Sequence, residues 1–257
     1  MRTYEEKKKI LELHEEGFNK SQISKLTAIP RGTVRDIIKR YNGYVSQLAE
    51  EVDSKSTCWG FESLRSYQLK SYSYLLGMYL GDGYIVKEPR TYKLRVFLDK
   101  KYPLVIEKVK SSMNDIFPQN KVGMVYYSGH VEVNFYSKGI IRLFPQYGLG
   151  KKHERDVSLS EEQREIVKKY PWDFLNGLLH SDGSRDENYS SKYKKKTYAR
   201  YLFTNKSQDI CESFRFICNL LEIEFKEHSK RKDDIRIFSI AKKEFVKKID
   251  KNGGKKY

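Results

Sequence analysis

The sequence predicts an α+β protein built from two similar halves and preceded by a small all-helical domain. A short apolar stretch that contains a glycine, YLLGMYLGDGY, occupies residues 74–84 and returns at residues 174–184 as FLNGLLHSDGS. Behind each copy, segments with strand alternation and segments with helical spacing follow in the same order. A repeated motif that opens a repeated order of elements indicates two copies of one structural unit.

We expect four segments along the chain. They are a helix-turn-helix domain at 1–43, a linker at 44–70, a first repeat at 71–160 and a second repeat at 161–257. The linker begins where Asn42-Gly43 breaks the preceding helix, and the polar run that follows is typical of a loop.

Apolar residues at helical spacing predict three short helices within residues 4–41. Residues 17–41 resemble a helix-turn-helix of the resolvase or transposase type, whose last helix enters the major groove with its first turn near the base edges. The candidate base contacts are Arg31, Thr33 and Arg35, and the candidate phosphate contacts are Lys39 and Arg40. The alternative is a three-helix bundle that serves dimerisation.

In the first repeat, the motif stretch predicts a helix that starts near residue 72 and stops at Asp82-Gly83, since glycine readily ends a helix. Two hairpins follow, each with a helix behind it. The expected bounds are 84–86 and 92–98 for the first two strands, 103–117 for the helix, 122–127 and 131–136 for the next two strands, and 140–147 for the closing helix.

The second repeat shows the same order. A lead-in helix is expected at 161–170, and Pro171 starts the second motif helix. The remaining expected elements are strands at 184–189 and 197–204, a helix at 208–221, strands at 223–227 and 235–240, and a helix at 242–249. Residues 252–254 are expected to form a frayed tail.

Each motif places a carboxylate, Asp82 or Asp182, at the C-terminal end of a helix. That end carries partial negative charge, so the same unfavourable placement at two matched positions suggests a compensating cation. Gly77 and Gly177 would let the two helices pack closely and bring both carboxylates together. Adjacent carboxylates repel each other unless a proton or a hard divalent cation lies between them. The simpler alternative is two core helices that happen to end in Asp-Gly.

Both stretches resemble the dodecapeptide motif of LAGLIDADG homing endonucleases, in the single-chain form that carries two motifs. The second copy departs from the pattern because Asn176, His180 and Ser181 are polar. The resemblance covers about residues 72–250 and implies two αββαββα repeats around a pseudo-twofold axis. Their antiparallel sheets would form a saddle for DNA.

The resemblance also implies a metal site. Asp82 and Asp182 would bind Mg²⁺, or another divalent cation such as Mn²⁺, and the backbone carbonyls of Gly81 and Ser181 would add ligands. Members of the family also use a lysine near the end of the last strand of each repeat. Lys138 and Lys242 occupy those places here and are the further catalytic candidates.

Composition agrees with a polyanionic partner, since the formal net charge is +16 at pH 7. Alternation and charge predict that the open sheet faces read bases and that a basic loop contacts phosphates. The candidate base contacts are Lys93, Arg95, Tyr136, Arg200 and Arg236, and the candidate phosphate contacts are Lys194, Lys195 and Lys196. The three cysteines have no metal-binding spacing, which together with the absence of a signal peptide predicts an intracellular protein that is not secreted.

These observations together predict a site-specific double-strand DNA endonuclease, of the kind that acts in intron homing. It would be a monomeric pseudo-dimer with a long, asymmetric DNA target. Two alternatives stay open: a sequence-specific DNA-binding regulator on the same scaffold that does not cleave, and an RNA-splicing maturase, which would also bind RNA.

Overall fold

A computed structural model of the chain describes residues 3–15, 18–39, 61, 64–190, 195–230 and 234–256. These residues belong to two compact units, Met1–Cys58 and Trp59–Tyr257. No helix in these ranges is long and apolar enough to cross a membrane.

The first unit is all-helical in its described part. Its helices are α1 (Tyr4–Glu15), α2 (Lys20–Thr27) and α3, which includes residues 31–39. The side chain of Asn19 caps α2 by accepting hydrogen bonds from two backbone amides of its first turn. Five buried aliphatic residues from the three helices and the connection between α2 and α3 form the core: Ile10, Ile23, Ile29, Val34 and Ile38. Gly17 and most of the expected linker lie outside the described residues.

The first half of the second unit contains seven elements. They are α4 (Ser66–Gly81), β1 (Gly83–Glu88), β2 (Thr91–Asp99), α5 (Pro103–Ile116), β3 (Gly123–Tyr126), β4 (His130–Ser137) and α6 (Ile140–Leu143). The strands form an antiparallel sheet in the order β1-β2-β4-β3. Helix α4 begins at Ser66, earlier than residue 72 and inside the segment expected to be linker.

The second half repeats this arrangement after a short 3₁₀ turn, Lys152–Glu154. Its elements are α7 (Glu161–Lys169), α8 (Pro171–Asp182), β5 (Gly183–Ser190), β6 (Lys195–Asn205), α9 (Gln208–Leu220), β7 (Lys226–Lys230), β8 (Ile235–Ile240) and α10 (Lys243–Lys251). The second sheet has the matching order β5-β6-β8-β7. The predicted fold class, α+β with two repeats, is therefore confirmed.

One strand was predicted too early. Ile223 was expected to open a strand, but β7 starts at Lys226. Ile223 instead closes α9: its amide donates to the Cys218 carbonyl at 2.8 Å, and Glu222 before it has φ 53°. A left-handed residue followed by a buried apolar one is a common helix ending.

Each sheet buries one face against helices. In β2 the buried residues Leu94, Val96 and Leu98 alternate with the partly exposed Arg95 and Phe97. The other face of each sheet is the open face.

Helices α4 and α8 pack backbone to backbone. A Cβ atom added to Gly77 would lie 2.6 Å from the Phe174 carbonyl oxygen, and one added to Gly177 would clash with the Tyr74 carbonyl. Only glycine fits at both positions. This close packing sets the place where the two motif helices end.

Candidate active site

The carboxylates of the two motifs meet at the ends of the packed helices. Asp82 caps α4 and Asp182 is the last residue of α8. A Cβ atom added to Gly81 would lie 3.0 Å from Asp182 Oδ2, so the second carboxylate lies against the end of the first helix. Burial, and after it the charge of Asp182, raises the pKa of Asp82 to about 6. Burial also raises the pKa of Asp182.

Two lysines donate hydrogen bonds to carbonyl groups at the same helix ends. Lys152 Nζ donates to the carbonyls of Tyr79, of Leu80 at 3.0 Å and of Gly81 at 2.7 Å. Lys256 Nζ donates to the Ser181 carbonyl at 3.2 Å. The charges of both lysines lower the pKa values of Asp82 and Asp182, against the larger effect of burial. These ammonium groups supply the compensating positive charge that the sequence suggested.

Sequence reasoning missed both lysines, although a signal was present. Gly-Lys-Lys occurs at residues 150–152 after the first repeat and at residues 254–256 after the second. The second copy begins at Gly254, the last residue of the segment expected to fray. That expectation was wrong, because Gly254 is buried and the chain around it contacts the second motif helix.

The polar departures of the second motif have structural partners. Asn176 donates to the Asn252 carbonyl at 2.6 Å, and His180 Nε2 lies 3.0 Å from the Gly253 carbonyl. His180 Nδ1 lies 3.0 Å from the Tyr74 hydroxyl, which links the segment to α4. The hydroxyl of Ser181 donates back into its own helix. Asn176 and His180 are therefore polar because they bind the C-terminal segment.

Asn205 is a further side chain at the site. Its Nδ2 donates to Asp182 Oδ2 at 2.7 Å, which fixes the orientation of that carboxylate. Nothing in the sequence pattern distinguished Asn205 from other polar strand residues.

The structure does not place Lys138 or Lys242 beside the carboxylates. In the first sheet Gly83, next to Asp82, is level with Val96 and Val133, whereas Lys138 follows the far end of β4. The second sheet has the same register, and Lys242 forms an ion pair with Glu224 at 2.5 Å.

The donor set suits a hard divalent cation in part. Two largely buried carboxylates, of which Asp182 raises the pKa of Asp82, are the ligands such an ion prefers. The other expected ligands, the carbonyls of Gly81 and Ser181, already accept hydrogen bonds from Lys152 and Lys256. Within the described residues no third acidic, histidine or cysteine side chain completes a cluster.

Most described base-contact candidates lie on the open sheet faces. Lys93, Arg95 and Tyr136 lie on the first sheet, and Arg200 lies on the second. Arg236 is a correction: it shares the strand parity of the buried Phe238 and Ile240, and so faces the helices. There it pairs with Glu227 at 3.5 Å.

The remaining DNA candidates are in part described. On α3, Arg31, Arg35 and Lys39 are exposed and Thr33 is half-buried. Arg40 and Lys194 lie outside the described residues, and only the backbone is described for Lys195 and Lys196.

Two repeats joined through motif helices, each ending in a carboxylate beside an open antiparallel sheet, define the LAGLIDADG class of fold. The DNA and manganese complex of the homing endonuclease I-DmoI superposes with a TM-score of 0.51 at 16% identity, covering 73% of this chain and 98% of that one. The meganuclease I-AabMI bound to uncleaved DNA gives 0.45 at 14% identity, covering 70% and 82%. The N-terminal LAGLIDADG domain of WhiA gives 0.46 at 13% identity, covering 73% and 84%.

The chain is therefore similar to I-DmoI in fold, and the predicted resemblance is confirmed at that level. Residues 1–48 match the sequence model of the homeodomain-like domain, which confirms the helix-turn-helix resemblance. No curated protein sequence matches the chain.

Proposed function

We propose that this protein is a site-specific double-strand DNA endonuclease that hydrolyses phosphodiester bonds at the Asp82–Asp182 pair. The observation that carries the proposal is the pair itself. Two acids are held together in a largely buried position, where they destabilise each other, at the junction of two open sheets. Such placement of titratable groups is typical of functional sites.

Asp82 and Asp182 would hold a divalent cation, Mg²⁺ or Mn²⁺. When bound, the cation would activate water and neutralise charge on the leaving oxygen. Asn205 keeps Asp182 oriented, and Lys152 and Lys256 place positive charge beside the acids, which favours a phosphate there. DNA as substrate is supported by the net charge, by the cationic side chains on the open faces and by the complexes of I-DmoI with DNA and manganese.

One observation favours a second candidate, a sequence-specific DNA-binding regulator that does not cleave. The carbonyls of Gly81 and Ser181 accept hydrogen bonds from lysines, so two acids and two ammonium groups balance each other within the chain. A site that is balanced in this way can hold the two helices together without any ion.

The test is incubation of the protein with a library of duplex targets in Mg²⁺ or Mn²⁺. We expect cutting of a defined sequence by the wild type and loss of cutting in Asp82→Asn and Asp182→Asn. Asp234→Asn is the matched control, because Asp234 is exposed at φ 50°, a conformation that asparagine adopts readily. Sequence-specific binding without cutting by any of the proteins would instead establish the regulator.

A further inference from the structure

Glu132 is a fully buried acid on the otherwise open face of the first sheet. In β4 the residues Val131, Val133 and Phe135 face the helices, so Glu132 faces the side expected to meet DNA. A carboxylate there is shielded from water by the side chains around it on the sheet.

Four side chains donate to the Glu132 carboxylate. Oε1 accepts from Lys93 at 2.8 Å and from Asn134 at 2.9 Å. Oε2 accepts from Arg95 at 2.6 Å and from the Tyr127 hydroxyl at 3.3 Å. A carboxylate offers about four acceptor positions, so this one is saturated. Burial alone would raise the pKa of Glu132, but the hydrogen bonds from Arg95 and Lys93 lower it, and the group is ionised at neutral pH.

The network fixes two cations that would otherwise be mobile. The Arg95 guanidinium also lies over the Phe97 ring at 4.9 Å, and Lys93 lies 5.4 Å from the centre of the Tyr136 ring. The hydrogen bond to Glu132 uses one of the five N–H groups of Arg95, and Arg95 Nε is buried without a hydrogen-bond partner. A side chain held in one conformation before binding loses little conformational entropy when it binds.

The second sheet has no equivalent acid. By strand register, Val133 corresponds to Phe238 and Val96 to Phe203, so Ile237 takes the place of Glu132. Leu202 then takes the place of Arg95, and Arg200 that of Lys93. The arrangement belongs to the first half alone.

We propose that Glu132 is a positioning residue for sequence recognition, which holds Arg95 and Lys93 as fixed donors for a guanine edge in the half of the target under the first sheet. Guanine offers two acceptors, O6 and N7, in the major groove, and arginine or lysine is the side chain that pairs with both. The inference rests on DNA binding, which both candidate functions share, and not on cleavage.

The experiment is selection of bound duplexes from a randomised library by the full chain, with Ca²⁺ in place of Mg²⁺. We expect the wild type to select guanine at one position or two adjacent positions in one half of the target. In Glu132→Gln this preference falls roughly tenfold or more, because the donors are no longer fixed. Binding to unrelated DNA gains salt dependence, because a charge that neutralised the cations is removed.

Glu227→Gln is the matched control, since Glu227 pairs with Arg215 and Arg236 on the helix side of the second sheet. It should leave the base preference unchanged. Arg95→Met removes the guanidinium donors and leaves Glu132 with its three other donors, and it should lose the same guanine preference even if Glu132→Gln fails to fold.

Three results would overturn the inference. The first is a base preference in Arg95→Met, and in Glu132→Gln where it folds, that equals the preference of the wild type. The second is a uniform loss of affinity for all sequences, which a purely structural role predicts. The third, absence of any sequence selection by the wild type, would overturn the proposed function as well.

Discussion

Burial and the neighbouring lysines together set the pKa values of the two motif acids, and burial changes the pKa values of the lysines as well. Burial lowers the pKa of Lys152 to about 7, and the charges of Asp182 and Asp82 oppose that change. Each charge at the site is therefore maintained by the others and not by water. Substitutions here should change stability and pH dependence as well as activity.

Asp82→Asn should stabilise the fold at neutral and alkaline pH. The pKa of Asp82 is about 6 in the folded protein against 3.8 ordinarily, so the folded state binds the proton more tightly. The free energy of unfolding of the wild type therefore falls as pH rises from about 4 to 6 and does not recover through this group above pH 6. Asparagine cannot ionise, so we expect a gain of about 1–3 kcal/mol at pH 8 and almost none below pH 4.

Chemical denaturation at pH 3.5 and pH 8 measures this difference. Asp234→Asn, at an exposed position, should show no gain at either pH. A variant Asp82→Asn that is equally stable relative to the wild type at both pH values would contradict the expectation.

Lys152→Met should destabilise the second unit more than Lys256→Met. Lys152 donates to three carbonyls and Lys256 to one, and a buried carbonyl that loses its donor costs about 1–3 kcal/mol. We expect a loss of roughly 2–4 kcal/mol for the first variant and about half that for the second. NMR titration should also show a further rise in the pKa of Asp82 in both variants, because its neighbouring positive charge is removed.

Exposed Lys151→Met, next in the chain to Lys152, is the control for both readouts. Equal losses in Lys152→Met and Lys151→Met would show that the helix-end hydrogen bonds contribute nothing to stability.

Among individual residues, the sequence predicted the two acids and missed the lysines that oppose their charge. Asp82 and Asp182 stand out because their motifs repeat at a constant offset. The two Gly-Lys-Lys copies do not keep that offset, because the β5–β6 hairpin is longer than the β1–β2 hairpin. Asn205 and Glu132 could not be found, because their roles depend on which strands are neighbours.

Among the elements, the crossing of α4 and α8 depends on the absence of two side chains. Gly77→Ala would put a Cβ atom 2.6 Å from the Phe174 carbonyl oxygen and 2.8 Å from the Leu178 amide nitrogen. These atoms belong to the backbone of α8, which cannot move without disturbing the helix, so we expect the free energy of unfolding to fall by about 3 kcal/mol or more. Gly129→Ala, with nothing within 4 Å of the added atom, should change the free energy of unfolding by less than about 0.5 kcal/mol.

Thermal unfolding of the two variants makes the comparison. A melting temperature for Gly77→Ala within one or two degrees of the wild type would contradict the expectation, because it would mean that the helices can move apart at little cost to admit the methyl group.

Periodicity predicted which segments are helices and which are strands. It did not predict which face of a strand is buried or the residue at which each element begins. Alternation divides β8 into two sets of residues, but Ile235 and Ile237 are apolar like Phe238 and Ile240, so the sequence left open which set faces the helices. In the structure the set that contains the larger Phe238 faces the helices, and Arg236 belongs to that set. Ile223 was misassigned because an apolar residue after a helix serves a cap as well as a strand.

For the whole molecule, each of the two compact units carries exposed cationic residues. We expect the double variant Arg31→Ala/Arg35→Ala to weaken DNA binding at low salt. The slope of log affinity against log salt should fall by at most roughly 0.9 for each phosphate that the variant no longer neutralises. The base preference of the second unit should be unchanged, because its own core and sheets are intact.

Filter binding at several salt concentrations measures the slope. Lys7→Ala/Lys9→Ala, on α1 of the same unit, is the charge-matched control. An identical effect of both pairs would assign the first unit a purely electrostatic contribution.

Each motif helix is closed by a lysine from its own half, Lys152 for α4 and Lys256 for α8. Neither motif helix depends on the other half for the lysine that binds the carbonyl groups at its end. A gene that joined the first half of this protein to the second half of a relative would therefore keep the hydrogen bonds of Lys152 to the end of α4. Such a chimera would need compatibility where the halves meet, at Gly77 and Gly177 and at hydrogen bonds such as those of Tyr74 with His180 and of Tyr72 with Gln163, and with these matched the halves become exchangeable parts for building new target preferences.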